Sequence, residues 1–166
     1  MDEQPIVIAL AGNPNVGKSS IFNALTGLKQ HTGNWSGVTV TTAQGVFRFQ
    51  EQEYLLVDLP GAYSLSARSQ DEQVARDFIC SPIPSMILVV CDATCLERGL
   101  HFLKQILSQD RIRSENTPVV LCVNLYDEAK KQGISIDFSL LRDVLQIRVV
   151  STCARNKEDI FQLKET

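Results

Sequence analysis

Long hydrophobic runs are missing from the 166-residue sequence. Met86 to Cys91, which no other run exceeds, falls far short of the roughly 20 residues a membrane helix needs. A basic excess is missing too. With 16 Lys+Arg against 19 Asp+Glu, the formal net charge is -3. That disfavours a module held to nucleic acid by phosphate attraction, so no nucleic-acid partner is expected. The opening Met1-Asp2-Glu3-Gln4-Pro5 has neither the basic nor the apolar region of a signal peptide, and the expectation is a soluble chain that is not secreted. There are five cysteines, at 80, 91, 95, 122 and 153, and no C-x-x-C pair among them. A disulfide framework is therefore not expected, and Cys91 and Cys122, in apolar runs, read as small core residues. With only His31 and His101 to help, no metal-ligand cluster can be assembled around Cys91 and Cys95. His31 alone is not an iron site. Neither an internal repeat nor a linker is visible. What remains, 44% hydrophobic and 21% charged, describes one globular domain over residues 1–166.

Short apolar runs alternate with helical spacing along the chain. Ile6 to Ala11, Ser85 to Cys91, Val119 to Val123 and Ile147 to Val150 read as buried strands. Gly45 to Phe49 and Tyr54 to Val57 flank Gln50-Glu51-Gln52-Glu53 and suggest an antiparallel hairpin. Helical spacing marks Ser19 to Leu25, Gln70 to Cys80 and Leu96 to Leu107, then Asp127 to Lys131 and Ser139 to Leu145, and a last helix beginning at Glu158 to Lys164 that the chain cuts off. Residues 28 to 42 and Arg111 to Asn116 read as loops. The alternation predicts an α/β fold with a mostly parallel sheet covered on both faces.

Gly12-Asn-Pro-Asn-Val-Gly17-Lys18-Ser19 fits G-x-x-x-x-G-K-[ST] between a strand and a helix, the context that gives the motif meaning. Gly12 and Gly17 let the backbone curl so that N–H groups between Asn13 and Ser20, Pro14 having none, face phosphate oxygens. The helix N-terminus adds its dipole, Lys18 a point charge for the β- and γ-phosphates, and the Ser19 hydroxyl a magnesium ligand. Asp58-Leu-Pro-Gly61 follows a strand; Asp58 can hold a magnesium-bound water and the Gly61 N–H can reach the γ-phosphate. Asn124-Leu-Tyr-Asp127 follows another. A carboxylate there accepts from the N1–H and amino group of guanine, a donor pair adenine lacks. In Ser151-Thr152-Cys153-Ala154 a backbone N–H could meet the guanine carbonyl, although a plain turn accounts for the stretch nearly as well. A threonine closing the 28 to 42 loop could complete the magnesium shell. Spacing does not choose among Thr32, Thr39, Thr41 and Thr42.

These elements, in this order, resemble the five motifs of small GTP-binding proteins. The finer detail is similar to one family, the cytoplasmic G domain of the bacterial ferrous-iron transporter FeoB, of the TrmE-Era-EngA-YihA-Septin-like GTPase class. The residues that carry the likeness are the phosphate loop, Phe22-Asn-Ala-Leu-Thr-Gly27, Gly33-Asn-Trp-Ser-Gly-Val-Thr-Val40, Asp58-Leu-Pro-Gly-Ala-Tyr-Ser-Leu65 and Asp92-Ala-Thr-Cys-Leu-Glu-Arg98. The resemblance implies a three-layer P-loop NTPase fold, with a mostly parallel six-stranded sheet, one antiparallel strand and helices on both faces. It selects Thr39 as the switch threonine. It implies K⁺ beside the phosphates, held by Asn15 with backbone carbonyls around Gly33 and Trp35, where the cation would neutralise developing charge as an arginine finger does. The plainer reading is that Asn15 tolerates a tight turn. The resemblance thus names Asn15, Lys18, Thr39 and Gly61 as the catalytic set, with GTP or GDP, Mg²⁺ and K⁺ as cofactors.

Ala62 stands where many GTPases carry a water-orienting glutamine, which implies slow hydrolysis. Leu125 replaces the lysine that packs on the base, which implies loose nucleotide binding. Cys95 stands where the family often has asparagine, and Arg155-Asn-Lys lacks the glycines common there. In the family, a helical regulatory domain and a transmembrane iron-permeation domain follow the G domain, small Feo accessory proteins assist, and the G domain sits at the cytoplasmic face of the bacterial inner membrane that the intact protein spans. Two other readings stay open: a soluble ribosome- or tRNA-associated GTPase, and a nucleotide-sensing module with negligible turnover.

Overall fold

The computed structural model describes residues 5–27, 30–33 and 42–166. Its strands are β1 (Ile6–Gly12), β2 (Gln30–Gly33), β3 (Thr42–Phe49), β4 (Gln52–Asp58), β5 (Met86–Asp92), β6 (Val119–Asn124) and β7 (Arg148–Ser151). They form one sheet in the order β2-β3-β4-β1-β5-β6-β7. The expected six-stranded arrangement is there, with β4, β1, β5, β6 and β7 mutually parallel and β3 antiparallel to β4. Short β2 adds a seventh strand at the edge, antiparallel to β3. This corrects the loop reading at Gln30 to Gly33 and at Thr42, while residues 28, 29 and 34–41 of that stretch lie outside the described residues. Gln30 to Gly33 pairs through its backbone, and its composition has no apolar alternation to betray a strand.

The helices are α1 (Lys18–Thr26), α2 (Gln70–Cys80), α3 (Leu96–Leu107), α4 (Asp110–Ser114), α5 (Tyr126–Lys131), α6 (Phe138–Leu145) and α7 (Lys157–Glu165), with a 3₁₀ turn at Ala93–Cys95. Helix α2 starts on Ser69, whose hydroxyl accepts from the Glu72 N–H, while Glu72 accepts from the Arg68 N–H. Helix α4 replaces the expected loop at Arg111 to Asn116. One apolar residue, Ile112, is buried, too few to show periodicity, and Arg111 donates to the carbonyls of Ile79 and Pro84. Arg111 Nε also lies 2.9 Å from Glu115 Oε2, an ion pair without hydrogen-bond alignment.

The sheet separates two cores. Alternation along β1 sends Ile8 and Leu10 toward Ile21, Phe22 and Leu25 of α1 and Ile160 and Leu163 of α7. Ala9 and Ala11 face Ala75, Phe78 and Ile79 of α2 and Phe102, Leu103 and Ile106 of α3. Full burial of Phe22, Phe78 and Phe102 contributes roughly 1.5–3 kcal/mol each. Gly99 lets α3 lie directly on β5, because a Cβ there would run into Cys91 Sγ. Among the described residues, no helix is long and apolar enough to cross a membrane.

Candidate functional site

The motifs read from the sequence converge at the carboxyl ends of β1, β4, β6 and β7, where open α/β sheets bind ligands. The phosphate loop leaves β1 at Gly12 and enters α1 at Lys18. Gly17 has φ 85, which an L side chain seldom adopts, and a Cβ there would press on the Asn124 amide. Gly12 is required for another reason than conformational freedom: a Cβ would lie 2.5 Å from the Val90 carbonyl oxygen. Close approach to β5 therefore fixes it as glycine. Asn15 has φ 64, so the turn-tolerating role weighed for it is a feature of the loop.

The Asp58-to-Gly61 turn is bound tightly to the phosphate loop. Lys18 Nζ donates to Asp58 Oδ1 and to the Leu59 carbonyl, both at 2.7 Å. The Ala62 N–H donates to the Gly12 carbonyl at 3.1 Å, and Asn13 Nδ2 donates to the Ala62 carbonyl at 2.8 Å. Gly61 passes so close to Pro14 that an added Cβ would sit 3.0 Å from its backbone. Ala62 is 1% exposed, with its methyl in the core. The position after Gly61 therefore offers no side chain to solvent. Asn13, Pro14, Asn15, Gly17, Lys18, Ser19, Ser20 and Gly61 line a 370 Å³ cavity, together with Asp71 of α2. The sequence offered no motif that marks Asp71. It reaches the cavity because α2 begins just beyond the turn.

Asn124 ends β6 completely buried, and its Nδ2 donates to the Val16 carbonyl at 3.0 Å. One amide thus joins the phosphate loop to a strand end 108 residues away. Leu125 follows at φ 59 and caps α5. Asp127 stands in the first turn of α5. Its Oδ1 is buried and accepts no hydrogen bond from the described residues. Asp127, Ser151 and Cys153 line a 280 Å³ cavity with Tyr126, which lies within the Asn124-to-Asp127 motif, and with Lys130, Asn156 and Asp159, which no motif marks. Thr152 is buried, its N–H bonded to the Val123 carbonyl and its carbonyl to the Tyr126 N–H. The Cys153 N–H donates to Asp159 at 2.8 Å. Of the backbone donors weighed in residues 151 to 154, those of Thr152 and Cys153 are therefore engaged within the protein, which leaves Ser151 and Ala154.

Thr39 and Trp35 lie outside the described residues. Gly33 ends β2 opposite Thr42, and His31 lies opposite Gln44. Among the described residues, no group of three or more His, Cys, Asp or Glu could hold a metal. Burial pushes the Cys91 and Cys122 thiols up to about 12. For Cys122, fully buried, a hydrogen bond with Thr152 opposes the effect. A larger cavity, 520 Å³, is at the opposite end of the sheet, around Pro118 and Arg148. None of the motifs reaches it.

A phosphate loop on the central strand, an acidic turn bound to it and a buried asparagine linking it to a base-side cavity define the G-domain fold of P-loop GTPases. The family described as Ferrous iron transport protein B matches residues 6–166. The chain belongs to that family, the FeoB family, as its G domain. It is 41% identical over 159 residues to the Fe(2+) transporter FeoB of Leptospira interrogans, covering 95% of this chain and 22% of that protein. It is 39% identical over 163 residues to the FeoB of Salmonella typhimurium, covering 96% and 20%. The chain thus spans about a fifth of the length of these curated relatives. The crystal structure of the G domain of the T. maritima FeoB iron transporter matches with a TM-score of 0.85 at 41% identity, over 98% of this chain and 96% of that one. The cytosolic domain of the same transporter in a GDP form matches with a TM-score of 0.90 at 41% identity, over 99% and 62%. Its GMPPNP form matches with 0.87 at 42%, over 96% and 61%.

Proposed function

We propose that this chain binds GTP and GDP with Mg²⁺ and hydrolyses GTP slowly, as the nucleotide switch of a ferrous-iron transporter. The observation that carries this reading is the Asn124 amide on the Val16 carbonyl, which makes a phosphate cavity and a base cavity parts of one site. The relatives solved in GDP and GMPPNP forms support it. Lys18 would exchange Asp58 for the β- and γ-phosphates, freeing the carboxylate. Ser19 opens onto the phosphate cavity and Asp58 adjoins it through Lys18, so these two residues, with Thr39, suit a hard divalent ion that takes its other ligands from phosphate and water. Bound Mg²⁺ would neutralise charge on the triphosphate. Asn15 also lines the cavity, and with carbonyls around Gly33 and Trp35 it would hold K⁺. Asp127 would accept from guanine, and a backbone N–H of Ser151 or Ala154 would meet its carbonyl. With Ala62 buried, no side chain at that position orients water, which supports a low rate.

In the intact protein, a helical regulatory domain and a transmembrane iron-permeation domain would follow residues 1–166, with small Feo accessory proteins as further partners at the cytoplasmic face of the membrane. Loss of the γ-phosphate would release Thr39 and the Asp58-to-Gly61 turn and gate or couple Fe²⁺ passage. Family membership sets the RNA-associated alternative aside. The test is GTP turnover with Mg²⁺ in KCl and in NaCl at equal ionic strength, alongside Asn15→Ala. Potassium-specific acceleration abolished by the substitution is the expected result. Equal rates in both salts remove the K⁺ role. Nucleotide bound without turnover favours the sensing module.

A further inference from the structure

The turn that ends at Gly61 continues through residues 62 to 69 without regular structure before α2 begins. Its start is tied to the phosphate loop through Ala62, and Ser69 caps α2 at its end. The middle is held from one place. Gln105 of α3 presents Oε1 to two donors, the Leu65 N–H at 2.8 Å and the Ser64 hydroxyl at 3.0 Å. Both lone pairs of that oxygen are used. The Ser64 hydroxyl in turn accepts from the Ser66 N–H at 3.0 Å. Among the described residues, no other side chain from outside this segment and α2 hydrogen-bonds residues 63 to 68. The Leu65 side chain is buried next to this contact, whereas Tyr63 is 54% exposed.

We infer that Gln105 is a positioning residue for the γ-phosphate-sensing segment, an acceptor on α3 that holds the segment so that the Gly61 N–H stays in the wall of the phosphate cavity. This rests on the GTP-binding reading above. The effect falls on one nucleotide and spares the other. Holding the segment in advance lowers the ordering cost of any contact that Gly61 makes. Only a triphosphate makes that contact, because a diphosphate has no group at the γ position. Gln105 therefore favours GTP over GDP without touching either. The geometry also specifies the chemistry: Gln105 acts here purely as an acceptor. Glutamate keeps the acceptor oxygen and nearly the same length. Methionine keeps the volume and removes it.

The experiment compares the wild-type chain with Gln105→Met and Gln105→Glu. Two quantities are read: hydrogen exchange of the Leu65 amide without nucleotide, and dissociation constants for GMPPNP and GDP. In Gln105→Met, Leu65 exchange is expected to quicken by about tenfold and GMPPNP affinity to fall by roughly five- to tenfold, the worth of one or two hydrogen bonds. GDP affinity is expected to stay within about twofold. Gln105→Glu is expected to restore both protection and discrimination. The inference is overturned if GMPPNP and GDP weaken equally, if neither changes, or if glutamate behaves like methionine. A wild-type chain that binds neither nucleotide overturns the GTP reading, and the discrimination role with it. Leu65 exchange then decides separately whether Gln105 anchors the segment.

Discussion

Replacing Asp127 by alanine should separate function from stability. Oδ1 of Asp127 is buried without a hydrogen bond from the described residues, beside a 280 Å³ cavity. A carboxylate there would take two charge-assisted bonds from guanine, each worth roughly 1.5–3 kcal/mol. Their loss removes about 3–6 kcal/mol, or about 10²- to 10⁴-fold in GDP affinity. The nucleotide-free protein has the opposite balance. An unsatisfied buried acceptor costs roughly 1–3 kcal/mol, and deleting it removes that cost. Against this stands about 0.3–1 kcal/mol for the negative charge in the first turn of α5. Asp127→Ala should therefore melt no more than about 2–4 °C below wild type, or above it, without nucleotide. Titration with a fluorescent GDP analogue and thermal denaturation without nucleotide read the two quantities. GDP affinity retained within about threefold, or a melting point lowered by about 10 °C or more, would refute the reasoning.

Asn124→Ala should show the reverse pattern, because its amide is satisfied. Losing the bond to Val16 and leaving that carbonyl unpaired should cost the nucleotide-free protein about 2–4 kcal/mol, seen as a lower urea midpoint. Gly99→Ala should destabilise by about 1–3 kcal/mol despite the better helix former, since the new methyl meets both Sγ and Cβ of Cys91; adding Cys91→Ala removes Sγ but leaves Cβ 2.6 Å away, so it should recover only part of the loss, a non-additivity that a double-mutant cycle reads directly. For Cys91 and Cys122, folding raises the thiol pKa from 9.0 to about 12, so the folded state holds these protons more tightly than the unfolded state. Their contribution to stability is full below pH 9 and lost as pH rises from there toward 12. Denaturant midpoints across that window should fall less steeply in Cys122→Ala than in wild type; equal slopes would sink the assignment.

The phosphate loop was legible because its groups are neighbours in the chain: a curled backbone, a lysine and a hydroxyl within Gly12 to Ser19 need little more than local conformation. The long strands and helices were legible because burial imposes a period, as in Met86 to Asp92 and in Leu96 to Leu107. Where burial was slight, the period vanished. Helix α4 has one buried apolar residue, and β2 is recognised only by its backbone pairing with β3.

The site was legible as a set of motifs and illegible as a geometry. That Asp127 suits guanine follows from carboxylate chemistry alone. That Cys153 spends its N–H on Asp159, that Gly12 is glycine because β5 presses on it, and that Asp71 reaches the phosphate cavity do not follow from any spacing.

The sequence by itself determined the family, the α/β alternation and the identity of the phosphate loop, all of which rest on local pattern. Tertiary structure alone decided how the distant pieces act on one another. Asn124 meets Val16 across 108 residues, Lys18 meets Asp58 across 40, and Gln105 holds Leu65 across another 40. Hydrogen bonds depend on distance and angle in space. Chain separation carries no information about either until the sheet has brought β1, β4, β5 and β6 side by side.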